Sequence, residues 1–183
     1  MIVGVLALQG DFQEHIDVLS SMKVEAHEVR TLKDLEKVDA LILPGGESTV
    51  MAKFLAEEQM VDAIQKRAKG GMPILGTCAG AILLAKNVTG KHPPKSLGLL
   101  DITIERNAYG TQHDSFETTM KIGKESVPVS FIRAPKITKV GKSVEVLATY
   151  TGQPVLVRQG SVMTATFHTE TERSRILHQL LLA

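Results

Sequence analysis

Met72-Pro73-Ile74-Leu75-Gly76-Thr77-Cys78-Ala79-Gly80-Ala81-Ile82-Leu83-Leu84-Ala85 contains a short apolar run, a glycine-flanked turn and a second apolar run, with the only cysteine of the chain at the apex. The spacing predicts a buried strand over 72–75 and a buried helix from 81, so the order is strand, sharp turn, helix. Gly76-Thr77-Cys78-Ala79-Gly80 is G-x-C-x-G, the thiol analogue of the G-x-S-x-G turn that presents a serine nucleophile. Glycines on both sides let the backbone turn tightly. The helix N-terminus offers free N–H groups and a partial positive charge to a thiolate. A lone cysteine elsewhere reads as a small buried hydrophobe, but a structural cysteine has no need of this strained position. Cys78 is therefore the candidate nucleophile.

Outward from this turn, the first half repeats the same alternation. Residues 2–8 form a continuous β-branched run, as in a strand covered on both faces, and Phe12, Ile16 and Leu19 then recur at helical spacing. Further strands are predicted at 24–29 and 40–43, the latter ending at Pro44-Gly45-Gly46, with helices over 50–55 and 60–68, the second closed by Gly70-Gly71. Repeated strand-helix units predict an α/β fold, an open and mostly parallel sheet with helices on both faces, in the flavodoxin or Rossmann manner. The second half reads as additional short strands at 102–104, 116–120, 127–132, 144–150, 154–158 and 162–167. Residues 87–96 read as a surface loop, and 172–182 as a closing helix with Ile176, Leu177, Leu180 and Leu181 on one face.

The 183 residues, with 43% hydrophobic content, are expected to form one domain over 1–183. A net charge of +1 with interspersed signs argues against nucleic acid or an anionic membrane as the main partner. One cysteine rules out an internal disulfide framework and a multi-cysteine metal site, and it fits a reducing compartment, by default the cytoplasm. The run 2–8 lacks a basic lead-in and is too short for a signal peptide or a membrane span.

A cysteine nucleophile needs a base and the base an orienting group. Six histidines are available. His15 and His178 fall inside predicted helices and His92 and His113 in polar loops, where a solvated surface histidine is the expected reading; His27 is mid-strand. His168 closes the run 162–167 at a strand end, where open α/β folds gather their sites. Glu170 follows two residues later, on the same side of an extended segment. Cys78, His168 and Glu170 thus form a candidate Cys-His-Glu triad. Pro44-Gly45-Gly46-Glu47-Ser48-Thr49 is a second glycine-rich turn before a helix, with Ser48 or Thr49 suited to cap it. The N–H groups of Gly46 and Ala79 are candidates to receive an oxyanion.

These residues together resemble a known family. The chain is similar to the glutaminase subunits of pyridoxal phosphate synthase, within the triad-type (class I) glutamine amidotransferases. The likeness runs nearly end to end. It rests on Gly4-Val5-Leu6-Ala7-Leu8-Gln9-Gly10, Leu43-Pro44-Gly45-Gly46-Glu47-Ser48-Thr49, the Cys78 turn, Glu105-Arg106-Asn107-Ala108-Tyr109-Gly110, Asp114-Ser115-Phe116-Glu117, Phe131-Ile132-Arg133-Ala134-Pro135 and His168-Thr169-Glu170. The resemblance implies hydrolysis of L-glutamine by Cys78, His168 and Glu170, with Gly46, Glu47, Ser48, Arg106, Ile132 and Arg133 binding substrate. It also implies a barrel-shaped synthase partner that takes up the ammonia, and no metal or cofactor in this chain. Arg106 is expected either to meet the substrate carboxylate or to order Glu47, and Gln9-Gly10-Asp11 to lie on the same sheet edge as Cys78.

Two positions depart from the pattern. The superfamily's common His-Pro-Glu is His168-Thr169-Glu170 here, which restores a backbone N–H, loosens φ and so leaves the placement of Glu170 less constrained. Thr111 stands where related chains carry a larger polar or basic residue and bears on partner contacts. Two other readings stay open on sequence: a cysteine peptidase or deglycase relative, against which Ala79 rather than histidine follows Cys78, and a non-catalytic subunit that only docks a partner.

Overall fold

The computed structural model describes residues 1–106 and 115–183. The segment 107–114, which carries Asn107, Tyr109, Thr111, His113 and Asp114, lies outside the described residues. Chain order begins β1 (Ile2–Leu6), α1 (Phe12–Ser21), β2 (Glu25–Val29), α2 (Leu32–Leu35), β3 (Ala40–Leu43), α3 (Ser48–Glu57), α4 (Met60–Lys69), β4 (Ile74–Thr77) and α5 (Ala79–Leu84). It continues with β5 (Ala85–Thr89), β6 (Leu100–Glu105), β7 (Phe116–Ile122), β8 (Glu125–Phe131), β9 (Lys136–Val140), β10 (Glu145–Tyr150), β11 (Gln153–Gln159), β12 (Val162–Ala165) and α6 (Ile176–Leu182).

Among the described residues, a seven-stranded sheet has the order β10-β11-β12-β4-β3-β1-β2. The run from β12 through β2 is parallel, and β10 and β11 extend it antiparallel. The central strands β3, β4 and β12 are buried at every residue, which is why they read as unbroken apolar runs. Their side chains alternate between two cores. Leu41, Leu43 and Ile74 face one that includes α3, α4, α5 and the small sheet β5-β6-β9, whereas Ala40, Ile42 and Leu75 face one that includes α1, α6 and the hairpin β7-β8. The expected architecture, a mostly parallel sheet with helices on both faces, is the observed one.

Helix α4 ends on a Schellman turn: Met72 N–H donates to Arg67 O at 3.0 Å and Gly71 N–H to Ala68 O at 3.0 Å, with Gly71 at φ 90°. That left-handed position needs glycine, as the pair Gly70-Gly71 foretold.

Three expectations are corrected. Part of the predicted loop 87–96 is strand, since β5 runs to Thr89 beside β6. Strand β9 escapes sequence reading because Ile137 is its only fully buried residue. The closing helix starts at Ile176, not 172, because Arg173 takes φ 54° and breaks any helix through it. Among the described residues no helix is long and apolar enough to cross a membrane.

Candidate active site

The parallel register brings the carboxyl ends of β1, β3, β4 and β12 to one edge, where such sheets place their sites. Cys78 stands there as the N-cap of α5, at φ 48° and ψ −98°. The strained dihedral thus falls on the cysteine itself and not on its flanking glycines. Those glycines act by size: a Cβ on Gly80 would collide with the Leu43 carbonyl, and one on Gly76 would stand 2.7 Å from the Gly80 backbone. Neighbouring strand ends hold the turn, with Cys78 N–H donating to Ala165 O at 2.9 Å and Gly80 N–H to Pro44 O at 3.1 Å.

A cavity of about 400 Å³ opens over the Cys78 sulfur. The loop after β1 contributes Gln9, Gly10 and Asp11, and the loop after β3 contributes Gly46, Glu47 and Ser48. Ala79, Arg106, Ile132, Arg133 and His168 complete it. Each residue expected to hold substrate or an oxyanion therefore lines one space, and the Gln9 loop shares the sheet edge with Cys78.

His168 is held by its backbone. Its N–H donates to Ser130 O at 2.8 Å, and Ser130 N–H donates back to His168 O at 3.0 Å, an isolated bridge to β8. Its Nδ1 lies 2.7 Å from Glu170 Oε1, and both side chains are buried. The position that departs from proline proves constructive: Thr169 N–H donates to Glu170 Oε2 at 2.9 Å, a bond proline lacks. The restored N–H fixes the carboxylate, contrary to the looser placement expected.

Burial alone would push the His168 ring toward neutrality, but the neighbouring Cys78 thiol and Glu170 carboxylate outweigh that, raising its pKa well above the usual histidine value. For Glu170, burial disfavours the anion, yet His15 and then His168 hold its pKa well below the usual carboxylate range. The Cys78 sulfur also lies 3.7 Å from the Ile132 carbonyl, a weak acceptor for the thiol proton.

Arg106 serves the second of its two expected roles. Its guanidinium donates to His92 O at 2.8 Å and to Glu47 Oε1 at 3.1 Å. The same Glu47 oxygen accepts from Thr49 Oγ1 at 2.9 Å, and Glu47 is the extended N-cap of α3. The cap is thus Glu47 rather than Ser48 or Thr49, because the helix already begins at Ser48. Arg133 turns at φ 43°, its N–H donating to Ser115 Oγ at 3.2 Å.

Residues 5–182 match the SNO glutamine amidotransferase family. The chain belongs to that family. It is 48% identical to the pyridoxal 5'-phosphate synthase subunit PdxT of Thermotoga petrophila, over 100% of this chain and 98% of that protein. It is 49% identical to PdxT of Thermoplasma acidophilum, over 98% of this chain and 90% of that protein. A crystal structure of a glutamine amidotransferase superposes with a TM-score of 0.94 at 46% identity, covering 100% of this chain and 97% of that one.

This amidotransferase also buries two histidines that sequence reading assigned to the surface. His15 on α1 and His178 on α6 are fully inaccessible. His15 Nε2 lies 3.3 Å from Glu170 Oε1 and 3.1 Å from Thr77 Oγ1, and His15 Nδ1 lies 3.0 Å from His178 Nε2. The buried face of α1 is His15-Val18-Leu19, which shares Leu19 with the apolar stripe expected through Phe12, Ile16 and Leu19 and turns from it toward His15 and Val18. The i, i+3, i+4 spacing of His15 with Val18 and Leu19 was the available signal. Of the remaining histidines, His27 is exposed and pairs with Glu25, and His92 is exposed. Among the described residues, no group of three or more His, Cys, Asp or Glu is placed to hold a metal ion.

Proposed function

We propose that this chain acts as one glutaminase domain, hydrolysing L-glutamine to L-glutamate and ammonia and passing the ammonia to a synthase partner for pyridoxal phosphate formation. The observation that carries this reading is the single cavity joining the strained Cys78 to a His168 that is backed by Glu170 at 2.7 Å. Full-length similarity to proteins named as subunits of pyridoxal 5'-phosphate synthase supports the substrate and the partner.

The Cys78 sulfur, its proton passed to His168, attacks the side-chain carboxamide carbon of glutamine. The oxyanion rests on the N–H groups of Gly46 and Ala79. As the C–N bond breaks, His168 returns the proton to the departing nitrogen and ammonia leaves. A glutamyl thioester remains on Cys78. His168 then takes a proton from water, the hydroxide attacks the thioester, and glutamate departs as the C–S bond breaks. Glu170 accepts from the His168 Nδ1–H throughout, which keeps Nε2 toward the reacting atoms. Ser48, Ile132 and Arg133 position glutamine, with Arg106 acting through Glu47.

Ammonia protonates quickly in bulk water and then ceases to be a nucleophile, so its release is useful only beside an acceptor site. The resemblance supplies a barrel-shaped synthase as that acceptor. Gln9 gives docking a route to the chemistry: its Oε1 accepts from Glu47 N–H at 2.7 Å, beside Gly46. A partner that moves the Gln9 loop alters the oxyanion site. A free cysteine that must remain reduced suits the cytoplasm.

Glutamate release from glutamine, with and without the synthase partner, tests the reading in the native chain and in Cys78→Ala. Hydrolysis confined to the native chain, and faster in the complex, is expected. Persistent hydrolysis in Cys78→Ala overturns the nucleophile, and a free subunit as fast as the complex overturns the docking control.

A further inference from the structure

We propose that His15, backed by His178, is a positioning residue for Glu170, donating to the carboxylate from the core side while His168 donates from the cavity side. The proposal rests on the glutaminase reading above. Its starting point is one nitrogen: His178 Nδ1 is buried and, among the described residues, has no hydrogen-bond partner. A buried N–H without an acceptor costs about 1–3 kcal/mol, and in folded proteins such orphaned donors are rarer than under-used acceptors. The His178 proton therefore belongs on Nε2, 3.0 Å from His15 Nδ1.

That choice fixes every other proton in the chain of contacts. His15 Nδ1 accepts from His178, so the His15 proton sits on Nε2, which donates to Thr77 Oγ1 at 3.1 Å and stands 3.3 Å from Glu170 Oε1, while Thr77 Oγ1 donates to that same oxygen at 3.5 Å. Glu170 Oε1 thus meets His168 Nδ1 at 2.7 Å and faces His15 Nε2 at 3.3 Å, and Oε2 takes the Thr169 N–H. With both oxygens engaged, the carboxylate has no free rotation about its terminal torsion. The two donors also compete for one oxygen. His15 draws electron density from Glu170 and so moderates the grip of the carboxylate on the His168 proton, which must be released to the leaving nitrogen.

Other titratable groups surround the pair. Cys78 shares the cavity with the His168 ring, Asp11 lies against Gly45 beside that ring, and Glu172 accepts from Ser130. Glu14, Asp17 and Arg173 border a surface cavity next to Glu170. All remain in place in the variants that follow.

The test is the pH profile of kcat/KM for glutamine hydrolysis in the complex with the synthase partner, with circular dichroism to verify folding. Because His168 must be protonated when ammonia departs, the alkaline limb reports loss of its proton. His15→Leu is expected to lower kcat/KM about 10- to 100-fold and to move that limb up by roughly half a pH unit. His15→Gln keeps an amide donor near the Nε2 position and is expected to return both values most of the way, to within about threefold in rate. His178→Leu leaves His15 Nδ1 without its donor and is expected to move the limb the same way, by less.

A limb that stays in place or moves down in His15→Leu overturns the proposal, as does a His15→Gln variant indistinguishable from His15→Leu. A purely structural role lowers the rate with the folded fraction and leaves the limb alone. Should His15→Leu fail to fold, His178→Leu decides: an upward limb supports the proposal, an unmoved one overturns it. Activity persisting in Cys78→Ala would instead place the fault in the glutaminase reading itself.

Discussion

The main-chain N–H of Thr169 donates to Oε2 of Glu170 at 2.9 Å, while the other oxygen of that carboxylate meets His168 Nδ1 at 2.7 Å. The residue between base and carboxylate therefore orients the carboxylate through its own backbone. Thr169→Pro deletes this donor, and a hydrogen bond to a charged group contributes about 1.5–3 kcal/mol. Glutamine hydrolysis is expected to fall roughly tenfold or more in kcat/KM, measured as glutamate release. Thr169→Val keeps the N–H and removes Thr169 Oγ1, a buried hydroxyl without a partner among the described residues. It is expected to retain kcat/KM within about threefold and to gain about 1 kcal/mol in urea unfolding.

Cys78 holds φ 48° with a Cβ attached, a conformation that glycine adopts without penalty. Cys78→Gly is expected to abolish glutamate release yet raise stability by about 1 kcal/mol. Thermal unfolding measures the gain; a lowered Tm would show that the turn stores no strain.

Arg106 joins the His92 carbonyl to Glu47 through two nitrogens of one planar fork. Lysine keeps the charge and loses the fork. Arg106→Lys is expected to raise KM for glutamine about tenfold, equivalent to about 1.4 kcal/mol of lost binding, with a smaller change in kcat. Steady-state kinetics separates the two.

His178 is neutral in the fold, its pKa lowered to about 3 first by burial and then by the proximity of His15, with Glu170 acting the other way. The unfolded chain takes up this proton near pH 6.5 and the native chain does not, so the sign is opposite to that of a histidine that gains a partner. Between about pH 6.5 and 3, each unit of acidification removes up to about 1.4 kcal/mol of stability through this residue. Urea titrations from pH 7 to 4 are expected to show a shallower loss for His178→Gln than for the native chain. Glu170 adds to the acid loss, since its lowered pKa contributes stability that is present above the ordinary carboxylate range and vanishes as pH falls through the folded value. His168 works at the other end: its raised pKa contributes stability that is full below about pH 6.5 and is lost as pH climbs through the folded value.

Features that depend on neighbours along the chain were legible from the residues alone. Unbroken apolar runs identified β1, β3 and β4, because a strand covered on both faces has no polar side to show. Gly76 to Gly80 marked the turn that carries Cys78, and the two-residue spacing put His168 and Glu170 on one side. Gly70-Gly71 marked the end of α4. Which polar groups the core accepts follows instead from contacts between distant segments. His15 and His178 are 163 residues apart, and their burial brings them together: His15 has one ring nitrogen answered by His178 and the other by Thr77 and Glu170, and His178 has its Nε2 answered by His15. The stripe read from Phe12, Ile16 and Leu19 shares Leu19 with the buried face, and His15, three residues after Phe12 and four before Leu19, stands at its edge, where packing and not spacing decides between solvent and core. The same holds for Thr169, whose N–H gains its meaning from where Glu170 turns, and for Glu47, whose cap of α3 is completed by Arg106, the residue after β6. Burial of a polar group needs a partner to offset the water it loses, and those partners arrive from distant parts of the chain only once the sheet has brought them to one edge.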